Sequence, residues 1–414
     1  MADLQLTQDQ QEAYRQFIDF ICDPHQSEFV ISGYAGTGKS TLVSHILKTL
    51  PTILRTVKLL TSEELFWKKE LTATTNKAAE ALQSLVKEPV GTIHSLLSLK
   101  PYMDTETFES QLTRKSRKKK KGLILFIDEA SYIDHSLLHQ IFRSVEDSKI
   151  IFIGDPAQLS PVKSAGTPAF ELDCNKAHLT EVVRQQAGNQ IIDLATSFRN
   201  TVNNGDFFSF APNNVHVTHL PRGPFESKIL DEFRRADFKR NDAKVLAWTN
   251  DTIIAYNRAI RKEIYGRPDL QPGDYAICNS FFSYKGITLR AEDDVFINEI
   301  HYDTQFDVNG WTIRFNDNED FFFMPENQNA KKQCIRKARK EGEKGTIRHI
   351  YDTWIDLRAT FACTINKSQG STYQTVFIDL DDVKKCNNGN QIARMMYVAV
   401  SRASKEVFLT GDLV

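Results

Sequence analysis

One segment near the N-terminus constrains the fold of this chain more than any other. Gly33 to Thr41 reads GYAGTGKST and satisfies the pattern G-x-x-x-x-G-K-[ST]. The apolar run FVISG precedes it and predicts a buried strand, whereas STLVSHILKTL follows with helical periodicity. In that context the glycines let backbone N–H groups turn inward at a helix N-terminus and hold phosphate. The segment therefore predicts a P-loop.

The P-loop predicts which residues meet a nucleoside triphosphate. Lys39 is expected to neutralise the β- and γ-phosphates, and the Ser40 hydroxyl is expected to bind Mg²⁺. ATP and Mg²⁺ are thus the predicted cofactors. The loop residues expected to contact ATP are Gly33, Ala35, Gly36, Thr37, Gly38, Lys39, Ser40 and Thr41.

Two further polar segments follow apolar runs that predict strands. Asp128 and Glu129 come directly after LILFI, and carboxylates at the carboxyl end of a parallel strand face the phosphate crevice. Asp128 is the expected Mg²⁺ partner of Ser40, and Glu129 is the expected base for the attacking water. Gln158, in GDPAQLSP after IIFIG, is placed to sense the γ-phosphate. The alternatives are surface acids in a turn and an ordinary turn that ends a strand.

The order of predicted elements indicates an α/β fold. Continuously apolar strands alternate with helical segments in the first part of the chain, which is typical of a parallel sheet covered on both faces. The pattern recurs at KVLAWTN and near the C-terminus. From Pro272 to about Phe323 apolar and polar residues alternate between turns, which predicts short antiparallel strands.

Bulk properties exclude several classes of protein. The formal net charge of the 414 residues is −1, so contacts with nucleic acid must come from local patches. The six cysteines are scattered without zinc spacing, which favours reduced thiols in a cytoplasm. No apolar run is long enough for a membrane span. The basic run RKSRKKKK, from Arg114 to Lys121, is either a phosphate-contacting arm or a solvated loop.

Short motifs follow one another in order along the chain: LTQDQQEAY, GYAGTGKST, TATTNKAAEAL, GTIHSLL, IDEAS, GDPAQLSPV, LTEVVRQ, TINKSQGST and YVAVSRA. Together they resemble superfamily 1 DNA helicases of the RecD/Dda-like branch, which include phage Dda-type helicases. Two positions depart from that family's pattern: Asn76 and Asn366 replace histidines, and asparagine carries no charge. In TATTNKAAEAL, Thr74-Thr75 also stands in place of the family's usual Pro-Thr.

The resemblance implies roles that the residues alone do not establish. Gln10 is implied to read adenine, and Arg184 and Arg402 are implied arginine fingers whose guanidinium groups meet the γ-phosphate charge. The alternative for each arginine is a surface salt bridge. Residues implied to contact DNA are Thr75, Asn76, His94, Ser95, Thr364, Asn366, Lys367 and Gln369. His94 has a structural histidine as its alternative.

The resemblance also implies how the chain is divided. The expected fold has two RecA-like P-loop domains, with a short hairpin insertion in the first and a small β-barrel insertion in the second. The first domain is residues 1–190, with a pin at about 99–121; the second is 191–266 and 350–414; the barrel is 267–349. Within the pin, Phe108 is the candidate for the residue that stacks at the duplex junction, with core packing as its alternative and Tyr102 next.

The function expected from these features is an ATP-dependent DNA helicase. It would translocate on single-stranded DNA, 5′-to-3′ by resemblance, and couple hydrolysis in an interdomain cleft to strand separation. Expected partners are single strands, duplex junctions and replication or single-strand-binding proteins. The protein is expected to act as a monomer in a cytoplasm, which for a phage-encoded protein is that of the host cell. The alternatives are a P-loop nucleotide or small-molecule kinase, an RNA-directed helicase, and a binding module with a vestigial ATPase.

Overall fold

Apolar strands predicted from the sequence form the centre of two parallel sheets. The computed structural model describes residues 6–61, 67–103, 110–114, 118–161, 166–181, 189–239 and 241–413. The chain divides into two structural units. The first runs to His216 and adds Ser368–Thr372 and Cys386–Arg402; the second holds Val217–Lys367, Tyr373–Lys385 and the segment from Ala403. The predicted three-part division follows sequence patterns and stays a prediction.

The first unit is built on a six-stranded parallel sheet. Its strand order is β10-β1-β9-β7-β2-β3. In chain order the elements are α1 (Gln8–Cys22), β1 (Glu28–Gly33), α2 (Lys39–Thr61), β2 (Lys68–Ala73), α3 (Asn76–Val86), β3 (Gly91–Thr92), α4 (Ile93–Leu96), β4 (Leu99–Met103), β5 (Ser110–Arg114), β6 (Lys120–Lys121), β7 (Leu123–Asp128), α5 (His135–Ser144), β8 (Val145–Glu146), β9 (Lys149–Gly154), β10 (Asn175–Leu179) and α6 (Gln190–Asn204).

Alternating strand residues of that sheet pack into two separate cores. Phe29 and Ile31 of β1 pack with Phe17 of α1, whereas Val30 packs on the opposite face with Ile141 of α5. Both faces are buried, so the central strands contain continuous apolar runs, such as LILFI in β7 and IIFI in β9, as a covered parallel sheet requires. This arrangement confirms the predicted α/β class with a parallel sheet.

The second unit combines a five-stranded parallel sheet, ordered β11-β22-β21-β12-β20, with an antiparallel sheet ordered β18-β17-β16-β13-β19. Its elements, with α13 of the first unit in its place along the chain, are β11 (Val217–His219), α7 (Arg222–Phe233), β12 (Ala243–Ala247), α8 (Asn250–Tyr265), β13 (Tyr275–Cys278), β14 (Phe282–Tyr284), β15 (Ile287–Leu289), β16 (Asp294–Gln305), β17 (Val308–Phe315), β18 (Phe322–Pro325), α9 (Gln328–Lys340), α10 (Lys344–Thr353), β19 (Leu357–Arg358), β20 (Ala362–Thr364), α11 (Ile365–Ser368), β21 (Tyr373–Asp379), α12 (Leu380–Val383), α13 (Gly389–Ser401) and β22 (Ala403–Thr410).

Two local features bear on the predicted insertions. Strands β4 and β5 pair antiparallel, from Leu99 opposite Arg114 to Met103 opposite Ser110. The antiparallel sheet of the second unit includes β19, which pairs with β13 and lies beyond the predicted barrel residues 267–349. No helix in the described ranges is long and apolar enough to cross a membrane.

Candidate nucleotide and nucleic-acid sites

The P-loop turns tightly between β1 and α2 because of its glycines. Gly36 and Gly38 have φ angles of 85° and 76°, in the left-handed region that glycine adopts without steric cost. Gly33 has no space for a side chain: a Cβ there would lie 2.7 Å from Thr37 Oγ1 and 2.9 Å from Leu179 Cβ. The loop therefore requires glycine at these positions for shape, as well as for access to phosphate.

Two side chains hold this loop in its conformation. Lys39 Nζ donates to the backbone carbonyls of Gly33 at 2.7 Å and Tyr34 at 2.9 Å, so its ammonium group lies over the loop. Gln10 is 2% exposed, and its Nε2 donates to the Thr37 carbonyl at 3.1 Å. Its Oε1 accepts from the Thr7 N–H within the cap of α1. Gln10 thus links the start of α1 to the P-loop.

Asp128 and Glu129 stand where β7 ends, at the same edge of the sheet as the P-loop. Asp128 Oδ1 accepts from the Glu129 N–H at 2.9 Å. Glu129 has φ of 52°, a left-handed conformation that costs energy for a side chain other than glycine. The Thr74 hydroxyl donates to the Glu129 carbonyl at 2.9 Å and helps to hold that conformation. Backbone strain of this kind is typical of functional sites.

The electrostatic environment separates Glu129 from an ordinary surface carboxylate. Burial, together with the charges of Asp128 and Asp155, raises the pKa of Glu129 to about 7, although Lys39 and Arg402 act in the opposite direction. Burial also raises the pKa of Asp128, against the effect of Lys39. Glu129 Oε2 is buried without a hydrogen-bond partner among the described residues. A buried carboxylate with a free oxygen is suited to accept a proton from water.

The residues around Asp128 fit a magnesium ion. Carboxylate and hydroxyl oxygens are the ligands that Mg²⁺ prefers, and it commonly uses one or two protein ligands beside substrate phosphates. Asp128 supplies such an oxygen, and Ser40 is exposed in the first turn of α2. Within the described part of the chain, no cluster of three or more histidine, cysteine, aspartate or glutamate residues has the geometry of an all-protein metal site.

A buried polar chain joins three distant segments, and the sequence did not predict it. The Tyr397 hydroxyl, on α13, donates to Asp155 Oδ2 at 2.5 Å and accepts from the Ala35 N–H at 2.9 Å. Asp155 is fully buried, and its other oxygen accepts from the Ala157 N–H. Burial and the neighbouring Asp155 raise the pKa of Tyr397, so its hydroxyl keeps its proton. The GDP sequence after β9 was the available signal for Asp155.

The predicted γ-phosphate sensor is bonded to a residue predicted to contact DNA. Gln369 Nε2 donates to Gln158 Oε1 and lies 3.4 Å from Ser131 Oγ. Gln369 is only 5% exposed, which places its amide against Gln158 and away from the surface. Arg394, which the sequence analysis did not select, donates to the carbonyls of Pro156 and Gln158 at 2.6 Å each. The segment carrying Gln158 is therefore held from two sides.

Arg402 lies near Glu129 and is almost fully enclosed. It is 8% exposed, and its guanidinium donates to the carbonyls of Ser371 and Val398 at 3.2 Å and to the Ser401 hydroxyl at 2.9 Å. No carboxylate among the described residues pairs with it, so the surface salt bridge offered as its alternative is absent there. Its charge lowers the pKa of Glu129. Arg184, the other predicted finger, lies outside the described residues.

Four residues predicted to contact DNA follow β2 and β3. Thr75 caps α3, where its hydroxyl accepts from the Ala78 N–H at 3.2 Å, and Asn76 is the first residue of that helix. His94 and Ser95 lie in the short helix α4. Burial lowers the pKa of His94, against the effect of Asp134, so its neutral form is favoured. A neutral ring can contact phosphate only by donating a hydrogen bond, without an attraction between opposite charges.

The remaining predicted DNA residues lie at and after β20. Thr364 ends β20 and is 8% exposed, and Asn366 and Lys367 follow in α11. Lys367 Nζ donates to Asn279 and lies 3.4 Å from Glu292 Oε1, so its charge is already partly neutralised. Phe108, the predicted wedge residue, lies outside the described residues, and nothing is described of the Tyr102 side chain.

The basic run before β7 has acidic partners. Lys121 Nζ lies 3.2 Å from Glu146 Oε2 and 3.6 Å from Asp147 Oδ2, and Lys119 Nζ lies 3.6 Å from Glu146 Oε1. The run precedes β7, whereas Thr75 follows the parallel strand β2, so the two lie at opposite edges of the sheet. A six-residue strand separates these edges by about 17 Å. These observations favour the solvated loop over the phosphate-contacting arm.

Comparison with protein families agrees with this geometry. Residues 5–211, half of the chain, match the family described as AAA domain, and residues 360–410 match the UvrD-like helicase C-terminal domain. The chain belongs to this AAA-domain family. In this member the matched region holds the P-loop, Asp128, Glu129 and Gln158, and the C-terminal match holds Gln369 and Arg402.

Known relatives confirm the predicted likeness to superfamily 1 helicases of the RecD/Dda-like branch. The chain is 29% identical over 276 residues to the ATP-dependent DNA helicase dda of Enterobacteria phage T4, covering 63% of this chain and 57% of that protein. It is 21% identical over 495 residues to the uncharacterized protein R530 of Acanthamoeba polyphaga mimivirus, covering 96% of this chain and 98% of the relative.

A solved structure shares the fold along the whole chain. Pif1 helicase, solved in a study of DNA unwinding at forked double-stranded DNA, aligns with a TM-score of 0.52 and 16% identity. The alignment covers 99% of this chain and 93% of the Pif1 chain. At that identity the likeness supports the α/β fold and carries no residue roles.

Proposed function

We propose that this AAA-domain chain is an ATP-dependent DNA helicase that moves 5′-to-3′ on single-stranded DNA. The observation that carries the proposal is the arrangement at the carboxyl edge of the first sheet. There the P-loop, Asp128 and Glu129 share one edge with Gln158, whose side chain bonds Gln369. The segment proposed to sense ATP hydrolysis, at Gln158, is therefore in direct contact with the segment proposed to bind the strand, at Gln369.

In the proposed hydrolysis each residue has one task. Glu129 accepts a proton from water as the water oxygen bonds to the γ-phosphorus, while the bond from that phosphorus to the bridging oxygen breaks. Lys39 and Arg402 stabilise the negative charge that spreads over the γ-oxygens. Magnesium, held by Ser40 and Asp128, supplies further charge neutralisation when bound. Tyr397 and Asp155 hold the P-loop backbone at Ala35.

The link to DNA is proposed to pass through the two glutamines. If Gln158 follows the γ-phosphate, loss of that phosphate changes its bond to Gln369, which lies two residues after Lys367 in the chain. The proposed contacts with DNA phosphate and sugar are sequence-independent. They comprise Thr75, Asn76, His94, Ser95, Thr364, Asn366, Lys367 and Gln369, with Phe108 at the duplex junction. Arg184 is proposed as an arginine finger at the γ-phosphate, together with Arg402.

The same proposal covers the domain organisation. Two RecA-like domains are proposed as the motor, with the paired β4 and β5 as the base of a pin and the antiparallel sheet of the second unit as part of a small β-barrel. Translocation polarity, action as a monomer, a cytoplasmic location and partners that include replication or single-strand-binding proteins belong to the proposal through family resemblance. The kinase alternative gives no role to the hydrogen bond between Gln369 and Gln158.

The decisive experiment is an unwinding assay with ATP and Mg²⁺. Duplexes carry either a 5′ or a 3′ single-stranded tail, made of DNA or of RNA. We expect strand separation with the 5′ DNA tail alone and ATP hydrolysis stimulated manyfold by single-stranded DNA. Lys39→Ala is the matched inactive control.

Each other outcome corrects a named part of the proposal. Unwinding from the 3′ tail alone would reverse the polarity, and preference for RNA tails would replace the substrate. ATP turnover that single-stranded DNA does not stimulate, together with transfer of phosphate to a small acceptor, would establish a kinase.

A further inference from the structure

Helix α9 of the second unit is rich in cationic side chains, as is the basic run before β7. Its sequence, QNAKKQCIRKARK, has six cationic side chains and no acidic one. The helix contributes Ile335 and Ala338 to a small core with Phe323 and Trp354. That buried side fixes which of its cations face solvent.

Three cations form a stripe on the exposed side of α9. Lys332, Arg336 and Lys340 are spaced four residues apart and are all exposed, so they share one face. With a rise of 1.5 Å per residue, each lies about 6 Å further along the helix than the one before. We call these three residues the α9 stripe.

The α9 stripe differs from two other cations of the helix, Lys331 and Lys337, which have bonding partners. Lys337 Nζ lies 3.5 Å from Asp307 Oδ2, and Lys331 Nζ donates to the Trp354 carbonyl at 3.3 Å. Among the described residues, no carboxylate forms an ion pair with a member of the stripe. Cations in the last turn also stabilise a helix through its dipole. That effect accounts for Lys340 but not for Lys332 and Arg336, which lie earlier in the helix.

We infer that the α9 stripe binds the phosphate backbone of duplex DNA. Proteins that bind single strands combine positive charge with aromatic rings on which bases stack, and α9 contains no aromatic residue. A row of unpaired cations without rings suits contact with backbone alone, which is how duplexes are bound without sequence preference. The inference rests on the proposed function, in which the substrate includes a duplex junction.

The α9 stripe also contrasts with the basic run from Arg114 to Lys121, which is the most obvious cluster of positive charge in the sequence. Lys119 and Lys121 of that run are paired with Glu146 and Asp147, and pairing reduces the number of counterions that DNA binding would release. Unpaired cations give the larger gain on contact with phosphate. Between two sets of similar charge, the structure therefore assigns duplex binding to the α9 stripe.

The test compares two triple variants of the whole chain that remove the same charge. One is Lys332→Gln, Arg336→Gln and Lys340→Gln, which keeps good helix formers in α9; the other is Lys119→Gln, Lys120→Gln and Lys121→Gln. Binding to a blunt DNA duplex and to single-stranded oligothymidine is measured over a range of salt concentrations without nucleotide.

We expect the stripe variant to flatten the salt dependence for duplex. Each lost phosphate contact lowers the slope of log affinity against log salt by about 0.9, so three contacts lower it by about 2.7. Oligothymidine binding and DNA-stimulated ATP hydrolysis should stay unchanged, and the Lys119 variant should leave the duplex slope near that of the parent chain.

Three results would overturn the inference. They are an unchanged duplex slope in the stripe variant, an equal change in both triple variants, and a larger loss for oligothymidine than for duplex. A third probe, an oligoglutamate peptide, tests an acidic protein partner: peptide binding that depends on the stripe, while duplex binding does not, would replace DNA by protein. If DNA does not stimulate ATP hydrolysis by the parent chain, the proposed function fails. That result is independent of the salt dependence of duplex binding, which tests the α9 stripe.

Discussion

Glu129 shows how far a single residue can depart from its ordinary chemistry in this fold. It directly follows a buried strand, adopts a left-handed backbone conformation and has a buried oxygen that no described residue bonds. Burial raises its pKa, which increases its affinity for a proton at neutral pH. These properties distinguish it from a surface glutamate and support the proposal that Glu129 is the catalytic base.

Replacing Glu129 by glutamine should trap an ATP-bound state. The amide keeps the shape of the side chain but accepts no proton from water, and loss of a general base costs about 10²- to 10⁴-fold in rate. We expect single-turnover hydrolysis to fall by that factor in Glu129→Gln, while binding of ATP and single-stranded DNA is retained. Lys39→Ala serves as the control that weakens phosphate binding itself. A Glu129→Gln protein that binds ATP poorly but hydrolyses what it binds would remove Glu129 from the role of base.

At the scale of elements, hydrogen bonds to one buried carboxylate connect the short helix α12 to neighbouring segments of the second unit. Asp382, in α12, is 2% exposed and accepts from the N–H groups of Trp248 and Thr249 at 2.7 Å each. The Thr252 hydroxyl and Lys385 Nζ also donate to it. Burial alone would raise the pKa of Asp382, but these donors outweigh it and lower that pKa to about 2. One carboxylate thus joins α12 to the start of α8.

This depressed pKa predicts how acid destabilises the second unit. Because the folded-state pKa lies below the unfolded value of 3.8, the carboxylate stabilises the fold above about pH 4, and that stabilisation is lost as the pH falls through about 2. The shift corresponds to roughly 2 kcal/mol. In Asp382→Asn we expect the free energy of unfolding at pH 7 to fall by at least about that amount and its dependence on pH between 4 and 2 to weaken.

Urea unfolding at several pH values measures this effect. The exposed Asp231→Asn, on α7, is the matched control, and we expect it to change stability by less than about 0.5 kcal/mol. Equal stability of Asp382→Asn and the parent chain at pH 7 would contradict the assigned hydrogen bonds.

At the scale of the whole molecule, the two units have separate hydrophobic cores, and the predicted nucleotide residues belong to the first. Phe126 and Ile153 lie in a core of the first unit, whereas Val245 and Phe377 lie in one of the second. A ligand that binds only the folded state stabilises the part of the protein that holds it. Nucleotide should therefore act chiefly on the first unit.

Thermal unfolding of Glu129→Gln with Mg²⁺ and ATP tests this expectation without turnover. At a ligand concentration of 100 times Kd the stabilisation is about 2.7 kcal/mol. For a unit of this size we expect the midpoint of the first unit to rise by roughly 5 to 10 °C. Removal of Mg²⁺ by a chelator should reverse most of the rise, and Lys39→Ala should show little of it. A rise confined to the second unit would place the nucleotide elsewhere.

The sequence by itself determined the features whose residues are contiguous. The P-loop between β1 and α2, the helical run that begins α2 and the acidic pair where β7 ends were all predicted from local pattern. They could be predicted because strand, turn and helix preferences depend on neighbouring residues, and because parallel strands bring their carboxyl ends to one edge.

Only the tertiary structure decided which distant side chains meet. Tyr397 bonds Asp155 across 242 positions and Gln369 bonds Gln158 across 211, and no local pattern carries such pairings. The structure also decided which cations have acidic partners. Lys119 and Lys121 both lie close to Glu146, which comes from another strand, whereas no described residue forms an ion pair with the cations of the α9 stripe. The free energy of a charge depends on what packs beside it, and packing is set by the fold as a whole.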